Sequence, residues 1–215
     1  GAFDHTATIV DIHRGLEERL RIKKGHQAQG VTAVALSPAG DMLAVGSGSG
    51  QCWVYKVATN DHPEELYSPK MDNRVHDMVF SDDGEFLAIG DYNGCVTVLV
   101  ARTGHSAVTD ESKHQYFQSL SENTGPTKFI WGLAFKLKST EQGQGDHDGT
   151  QHSKEYILAV ACWDGSAHVF TLRHRRSHHL KVQHLAKIRE AGPGSEGDSR
   201  AYDVSLSDGG RHLVV

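Results

Sequence analysis

The stretch GDYNGCVTVL, from Gly90 to Leu99, is the clearest local signal in this sequence. It places Asn-Gly between two apolar runs, which is the strongest short-range indication of a β-hairpin. Three other segments align with it without gaps, each with a turn-prone residue followed by glycine or histidine. They are GAFDHTATIV from Gly1, GSGSGQCWVY from Gly46 and ACWDGSAHVF from Ala161. Both central residues of a type I′ turn need a positive φ, so Asn-Gly and Asp-Gly predict that turn type here.

A second repeated element lies upstream of three further apolar runs. Strand-like segments beginning at Val31, Val75 and Ala201 lead into a Ser-Pro-x-Gly, Ser-Asp-x-Gly or Ser-Asp-Gly-Gly turn. The step from Ser37 to Ser81 is 44 residues. A period of this size, filled with strands and turns, falls within the roughly 40–45 residues of a four-stranded propeller blade.

The middle strands of the units are apolar throughout, at residues 42–45, 86–89 and 157–160. Continuous apolar character predicts burial on both faces of a sheet, as expected where each sheet packs between two neighbours. No helical periodicity separates the strands, which excludes a doubly wound α/β fold. The sequence therefore predicts an all-β propeller with about four blades of four antiparallel strands.

The blade boundaries are predicted from the repeats. The predicted units are 1–24, the end of a first blade; 25–70, 71–122 and 123–190, three blades; and 191–215, the start of another. Residues 136–155, rich in Gly, Gln, His, Ser and Asp, are predicted as an insertion in the first hairpin loop of their blade. An outer strand is predicted at 115–120.

The two ends of the sequence leave two arrangements open. Residues 212–215 followed by residues 1–5 read as one normal repeat. The chain is therefore either a closed ring of four blades or part of a larger ring of seven or eight. The usual size of such rings favours the second arrangement.

Composition restricts the class of protein. Hydrophobic residues make up 38% of the chain and the formal net charge is −5, which argues against a phosphate-binding surface as the main function. No apolar run approaches the roughly 20 residues of a membrane span. Cys52, Cys95 and Cys162 are expected to be reduced thiols, which suits a cytosolic setting.

Gly25-His26 before an inner strand, together with the Ser-Pro-x-Gly and Ser-Asp-x-Gly turns, resembles the WD40-repeat family over essentially the whole chain. Where that family carries Trp-Asp, this sequence has Val10-Asp11, Tyr55-Lys56, Leu99-Val100 and Phe170-Thr171. The resemblance therefore implies divergent repeats in which the family's His–Asp–Ser/Thr–Trp hydrogen-bond network is incomplete in every blade.

Two subfamilies remain open. Residues 130–135 with the following insertion, and residues 86–94, are similar to intraflagellar-transport subunits with WD repeats. Residues 86–94 are also similar to propellers of the echinoderm-microtubule-associated-protein-like family. These resemblances imply a cytoplasmic protein, with a location at the cilium or cytoskeleton.

Several patterns that suggest chemistry have simpler explanations. Gly46–Gly50 precedes a strand rather than the helix that a phosphate loop requires. The histidines around 174–184 and 147–152 are predicted to be solvated in surface loops, so no metal site is expected. Arg173–Arg176 is predicted to be exposed loop charge. With no nucleophile elbow in the sequence, we expect neither catalysis nor a cofactor.

The leading functional hypothesis is a non-catalytic scaffold that binds other proteins of a complex, with no small-molecule substrate. Loops of successive blades share one face, so several loops contribute to binding together. The predicted contact residues on the face of the outer-to-inner loops and middle-to-third hairpins are His26, Gln29, Arg74, Asn93, Lys128 and Asp164. An RNA-associated protein, based on the Arg173 run, and a propeller hydrolase are the alternatives. The hydrolase is disfavoured because the inner strands begin with mostly apolar residues.

Overall fold

The computed structural model describes residues 4–13, 15–25, 28–57, 63–101, 116–117, 129–138, 154–174, 180–189 and 200–215. The strands are β1 (Thr6–Asp11), β2 (Glu17–Lys23), β3 (Val31–Leu36), β4 (Met42–Ser47), β5 (Cys52–Lys56), β6 (Glu64–Tyr67), β7 (Val75–Phe80), β8 (Phe86–Asp91), β9 (Val96–Val100), β10 (Tyr116–Phe117), β11 (Ile130–Leu137), β12 (Lys154–Cys162), β13 (Ser166–His174), β14 (Leu180–Arg189), β15 (Ser205–Leu206) and β16 (Leu213–Val214). A 3₁₀ turn covers Asp208–Gly210. Among these described residues, no helix is long and apolar enough to span a membrane.

The strands form sheets in the order in which they occur in the chain. Three four-stranded sheets contain β3–β6, β7–β10 and β11–β14, and every adjacent pair is antiparallel. β1–β2 and β15–β16 form two-stranded sheets. The first strands of successive sheets contact one another, β3 with β7, β7 with β11 and β11 with β15. The predicted all-β, antiparallel architecture is confirmed.

The hydrophobic core is divided among the spaces between successive sheets. Each of four clusters of buried side chains takes its members from two neighbouring sheets. All six residues of β4 and all six of β8 are buried, as their uninterrupted apolar sequences predict. Each sheet therefore depends on its neighbours for burial, and the hydrophobic stabilisation lies in the contacts between sheets.

The middle-to-third hairpins differ from the prediction in one respect. Only the glycine of each pair has a positive φ, 82° at Gly50, 86° at Gly94 and 77° at Gly165, and Asn93 and Asp164 do not. Gly94 N–H donates to the Asp91 carbonyl at 3.3 Å, and Gly50 and Gly165 make the equivalent bonds. The type I′ prediction was wrong, because these loops are type I turns closed by a left-handed glycine. His5 holds the same conformation, with φ of 67°, in the first copy.

Small residues at one repeated position allow neighbouring sheets to approach closely. A Cβ atom built on Gly46 would lie 2.5 Å from Val75 Cγ1, and one built on Gly90 would lie 2.5 Å from Ile130 Cγ2. The third copy has Ala161 at this position, and its cluster contains Ala201 where the other sheets present valine or isoleucine. The side-chain sizes on the two sides of each sheet interface are therefore complementary.

The predicted insertion 136–155 is too long at both ends. β11 continues through Leu137 and β12 begins at Lys154. Lys136 Nζ lies 3.1 Å from Asp82 and Lys154 Nζ lies 3.0 Å from Asp83. These ion pairs between sheets stabilise Lys136 and Lys154 within strands. The hydrophobicity pattern alone had predicted a loop at both positions.

Two basic segments predicted as loops also lie in strands. Arg173 is in β13, and one of its guanidinium nitrogens lies 3.4 Å from a Glu155 carboxylate oxygen. His184 is in β14 and pairs with Phe170 across the sheet. His184 lies in β14, the edge strand of its sheet, which tolerates polar residues, whereas Arg173 lies near the end of β13, where its exposed side chain reaches Glu155. Residues 147–152 and 175–179 lie outside the described residues.

Candidate interaction site

One irregularity recurs at the start of the inner strands. In β3, β7 and β11, three residues oppose two on the partner strand, so that Thr32, His76 and Trp131 are the extra residues. Such β-bulges change the direction of a side chain without ending the strand. They place one residue of each sheet at the end of the inner strand, next to the hairpins that join the second and third strands.

Aromatic rings from three successive sheets meet at this end of the inner strands. We call this set the aromatic cluster: His76, Tyr92, Phe129, Trp131, Trp163 and Tyr202. The ring of His76 lies 4.1 Å from that of Trp131, and Trp131 stacks on Trp163 at 5.1 Å. Tyr92 stacks on Phe129 at 3.7 Å. The cluster is one continuous surface formed by consecutive sheets.

The rings remain accessible although they pack against one another. Tyr202 is 55% exposed, and the other five are half-buried. The guanidinium carbon of Arg200 lies 3.9 Å from the centre of the Trp163 ring, a cation–π distance. Aromatic residues and arginine dominate the energetic centres of protein interfaces, and here they lie side by side.

Three polar atoms beside these rings are buried without a hydrogen-bond partner. They are Trp131 Nε1, His76 Nδ1 and Arg74 Nε. An indole N–H and a guanidinium N–H are donors only. A buried donor that lacks an acceptor costs about 1–3 kcal/mol, so a bound group that reached these atoms and supplied acceptors would gain that free energy.

The carboxylates nearby are turned toward the backbone. Asp77 Oδ1 accepts from Met78 N–H at 2.8 Å, and its Oδ2 accepts from Leu133 N–H in the next sheet at 2.7 Å. Burial, with a smaller contribution from the charge of Asp203, raises the pKa of Asp77 to about 6, against the hydrogen bonds that oppose the shift. Burial and the charge of Arg74 lower the pKa of His76, which favours its neutral form.

Of the predicted contact residues that are described, Arg74, Asn93 and Asp164 lie within two residues of a ring of the cluster in the chain, whereas Gln29 precedes β3 of the preceding sheet. Arg74 immediately precedes β7, and its carbonyl accepts from Tyr92 N–H at 2.9 Å. Asn93 is exposed and accepts from the Asn73 side-chain amide at 2.8 Å. Gln29 is exposed in the loop that binds the Gly48–Ser49 hairpin. His26 and Lys128 lie outside the described residues. The role of all six as contacts stays a prediction.

Asp164 differs from the other predicted contacts, because its carboxylate bonds to residues of its own sheet. It accepts from Ser166 N–H at 3.0 Å and pairs with Lys187 Nζ at 3.1 Å. The Ser166 hydroxyl also contacts Nε2 of the fully buried His168, and His168 Nδ1 lies 3.2 Å from His184 Nε2. Hydrogen bonds from Ser166 and Lys187 hold the pKa of Asp164 well below its usual range, although burial opposes this.

The aromatic cluster was not predicted from the sequence. The inner strands begin with Val75-His76, Ile130-Trp131 and Ala201-Tyr202, and their mostly apolar character served only as an argument against a hydrolase. The second residue of each pair could have indicated the cluster. It is a ring in all three copies, although the end of a strand does not require a large side chain there. Within the described ranges, no group of three or more His, Cys, Asp or Glu side chains is arranged to hold a metal ion.

Comparisons with known proteins agree with this architecture. The WD domain, G-beta repeat family matches residues 17–56. WD repeat-containing protein 1 of Mus musculus is 36% identical over 73 residues, which are 34% of this chain and 12% of that protein. Protein SOF1 of Saccharomyces cerevisiae is 28% identical over 123 residues, 55% of this chain and 24% of that protein.

A solved structure shows the same fold over nearly the whole chain. Sqt1 of Chaetomium thermophilum, solved with the N-terminus of ribosomal protein L10, superposes with a TM-score of 0.62 at 18% identity. The alignment covers 96% of this chain and 48% of Sqt1. The predicted propeller is thus confirmed. The chain spans about half of that structure, and a quarter or less of the curated relatives it matches.

Proposed function

We propose, from the premise that this chain is a WD40-repeat β-propeller protein, that it is a non-catalytic scaffold whose aromatic cluster binds a partner protein. The observation that carries the proposal is the partly exposed stack of rings contributed by three consecutive sheets. Rings from one sheet alone would be ordinary packing residues of that sheet.

The energetics favour a protein as the occupant. Tyr and Trp side chains provide large contact areas with few rotatable bonds, so little conformational entropy is lost when they bind. The rings of the cluster stack on one another, and the backbone N–H of Trp163 donates to the Phe129 carbonyl at 2.9 Å, so we expect them to be ordered before a partner binds. A preorganised surface of this kind loses less free energy to ordering on association.

One structural neighbour supports this class of function. The Sqt1 propeller was solved with the N-terminus of a ribosomal protein bound to it. We propose by analogy that this chain also binds a segment of another protein as part of a multiprotein complex. The cytoplasmic location, and an association with cilia or microtubules, remain predictions.

The RNA-associated alternative has less support from the described residues. Of the basic run that suggested it, Arg173 already pairs with Glu155 in the sheet. The hydrolase alternative also has less support from the described residues, because the extra residues at the inner-strand ends are Thr32, His76 and Trp131, and both oxygens of Asp77 accept backbone N–H groups. Thr32 donates its hydroxyl to the Val75 carbonyl at 2.7 Å and so joins two inner strands.

The test compares the proteins that co-purify with tagged wild type and with matched surface variants. Tyr202→Ala removes an exposed ring of the cluster. Leu185→Ala removes a side chain of similar exposure, 51%, on the outer strand β14. We expect Tyr202→Ala and the charge reversal Arg74→Glu to remove specific partners that Leu185→Ala retains. An identical partner set for all variants would show that this face is not the binding surface.

A further inference from the structure

We infer that the partner segment held by the aromatic cluster is acidic, with an Asp or Glu carboxylate seated among Arg74, His76 and Trp131 and an apolar neighbour on the rings. This inference rests on the proposed function and specifies the chemistry of the occupant. It depends on the unpartnered donors and on the way in which the fold brings them together.

The three donor-bearing residues lie at the beginnings of the neighbouring strands β7 and β11. The rings of His76 and Trp131 are 4.1 Å apart. Arg74 is two residues before His76 in the chain, and its charge is close enough to disfavour protonation of that ring. Arg74 Nε and Trp131 Nε1 are both donors only, and neither has an acceptor.

A carboxylate matches this set better than other groups do. It has two oxygens that accept several hydrogen bonds, and it complements the positive charge of Arg74. Hydrogen bonds to charged groups are about twice as strong as those between neutral groups. A peptide carbonyl has a single oxygen, which accepts at most two hydrogen bonds, and it carries no charge. It therefore leaves part of the desolvation cost of Arg74 uncompensated.

Neither Asp77 nor Asp203 supplies this acceptor. Both oxygens of Asp77 accept backbone N–H groups, and Asp203 Oδ1 accepts from Val204 N–H at 2.8 Å. A cationic partner residue is the opposing alternative, because aromatic rings also attract cations. It would leave the donors of Arg74 and Trp131 without acceptors and would place like charges together.

The experiment selects random twelve-residue peptides displayed on phage against the immobilised wild-type protein. We expect the recovered peptides to be enriched in Asp or Glu next to an apolar residue. One recovered peptide is then synthesised with its acidic residue intact and with that residue replaced by Ala. We expect the intact peptide to bind about tenfold more tightly, or more, than the Ala peptide.

The same ratio of affinities is then measured on protein variants. Trp131→Phe keeps a ring and removes the unpartnered N–H, and Arg74→Met removes the second donor and its charge. We expect each to reduce the preference for the acidic peptide to within about threefold. Trp53→Phe is the matched control, since Trp53 lies in β5 outside the aromatic cluster and its Nε1 is not among the buried unpartnered atoms. It should retain the preference.

The outcomes separate the two proposals. Recovered peptides rich in Lys or Arg, or a preference that survives both Trp131→Phe and Arg74→Met, would overturn the acidic partner. If those peptides still lose binding in Tyr202→Ala, the aromatic cluster remains the binding face and the proposed function stands. If no recovered peptide depends on Tyr202, or none is recovered, both proposals fail.

Discussion

The complementary sizes at the sheet interfaces lead to a quantitative prediction for Gly90→Ala. The added Cβ would lie 2.5 Å from Ile130 Cγ2 and 2.9 Å from Ile130 Cβ. Ordinary carbon–carbon contacts are about 3.5–4.0 Å, so the overlap with each atom is about 0.6 Å or more. The new methyl group cannot fit unless one of the two sheets moves.

Ile130 has little freedom to relieve this overlap. It is fully buried, and a β-branched side chain has few accessible χ1 rotamers. Overpacking of a tight core costs about 1–3 kcal/mol. We therefore expect Gly90→Ala to lower the free energy of unfolding by about that amount, even though replacing glycine by alanine usually stabilises the chain by restricting the unfolded state.

The assay is urea denaturation followed by tryptophan fluorescence, applied to a double-mutant cycle. Ile130→Ala alone should cost about 2–5 kcal/mol by leaving a cavity. The double variant places alanine at both positions, as at the next interface, where Ala161 and Ala201 belong to one buried cluster. Its loss of unfolding free energy should be smaller than the sum of the two single losses. The difference should be about 1–3 kcal/mol, because the steric overlap is removed.

Gly25→Ala is the control, because a Cβ at Gly25 would meet nothing within 4 Å and its φ is not positive. It measures the effect of the substitution on the unfolded state alone. Strictly additive single variants, or a Gly90→Ala protein as stable as Gly25→Ala, would refute the idea that side-chain sizes are matched across the interfaces.

Three further predictions concern buried polar groups. Burial raises the pKa of Asp77 from 3.8 to about 6, so the folded state holds a proton that the unfolded state releases. Its contribution to stability should therefore grow by roughly 1–3 kcal/mol as the pH falls from 7 toward 4, measured as the difference in unfolding free energy from Asp77→Asn. Burial raises the pKa of Cys52 to about 12, so a thiol reagent at pH 8 should modify the half-buried Cys95 first and Cys52 only on unfolding. The buried Tyr156 donates to Asp83 Oδ2 at 2.8 Å, so Tyr156→Phe should lower the unfolding free energy by about 1.5–3 kcal/mol.

A specific result would contradict each of these three predictions. A pH-independent difference between wild type and Asp77→Asn would mean that Asp77 titrates normally. Equal labelling rates for Cys52 and Cys95 in the native protein would mean that Cys52 is accessible. For Tyr156, the comparison is Lys138→Met, which removes an exposed ion pair with Glu155 at 3.2 Å and should cost at most about 1 kcal/mol. Equal effects of the two variants would contradict a special role for the buried hydroxyl.

The repeated features of the fold were predictable because they are local and recur. Continuous apolar middle strands identified the buried β4 and β8, and the spacing of Ser37 and Ser81 identified the period. Ser37 and Ser81 each use the side-chain oxygen to accept a backbone N–H five residues later, at 2.9 and 3.0 Å. A signal of this kind depends on a few neighbouring residues and needs no knowledge of the rest of the chain.

The parts that were missed depend on contacts between distant residues. Lys154 belongs to a strand because it pairs with Asp83, 71 residues earlier, and hydrophobicity patterns do not show such a pair. The aromatic cluster was missed for the same reason, since Tyr92 and Trp163 come together only when consecutive sheets pack. The turn type was wrong because Asn-Gly fits both a two-residue and a three-residue loop, and only the backbone angles distinguish them.

The bulges in β3, β7 and β11 make the side chain at the end of each strand independent of the backbone pairing of that strand. Since the extra residue takes no part in the ladder, threonine, histidine and tryptophan occupy the same position with the same backbone pairing around them. Binding preference can therefore diverge one substitution at a time while the architecture is conserved. An engineer who wished to redirect this protein to a new ligand would begin by varying Thr32, His76 and Trp131 together and leaving every other strand residue unchanged.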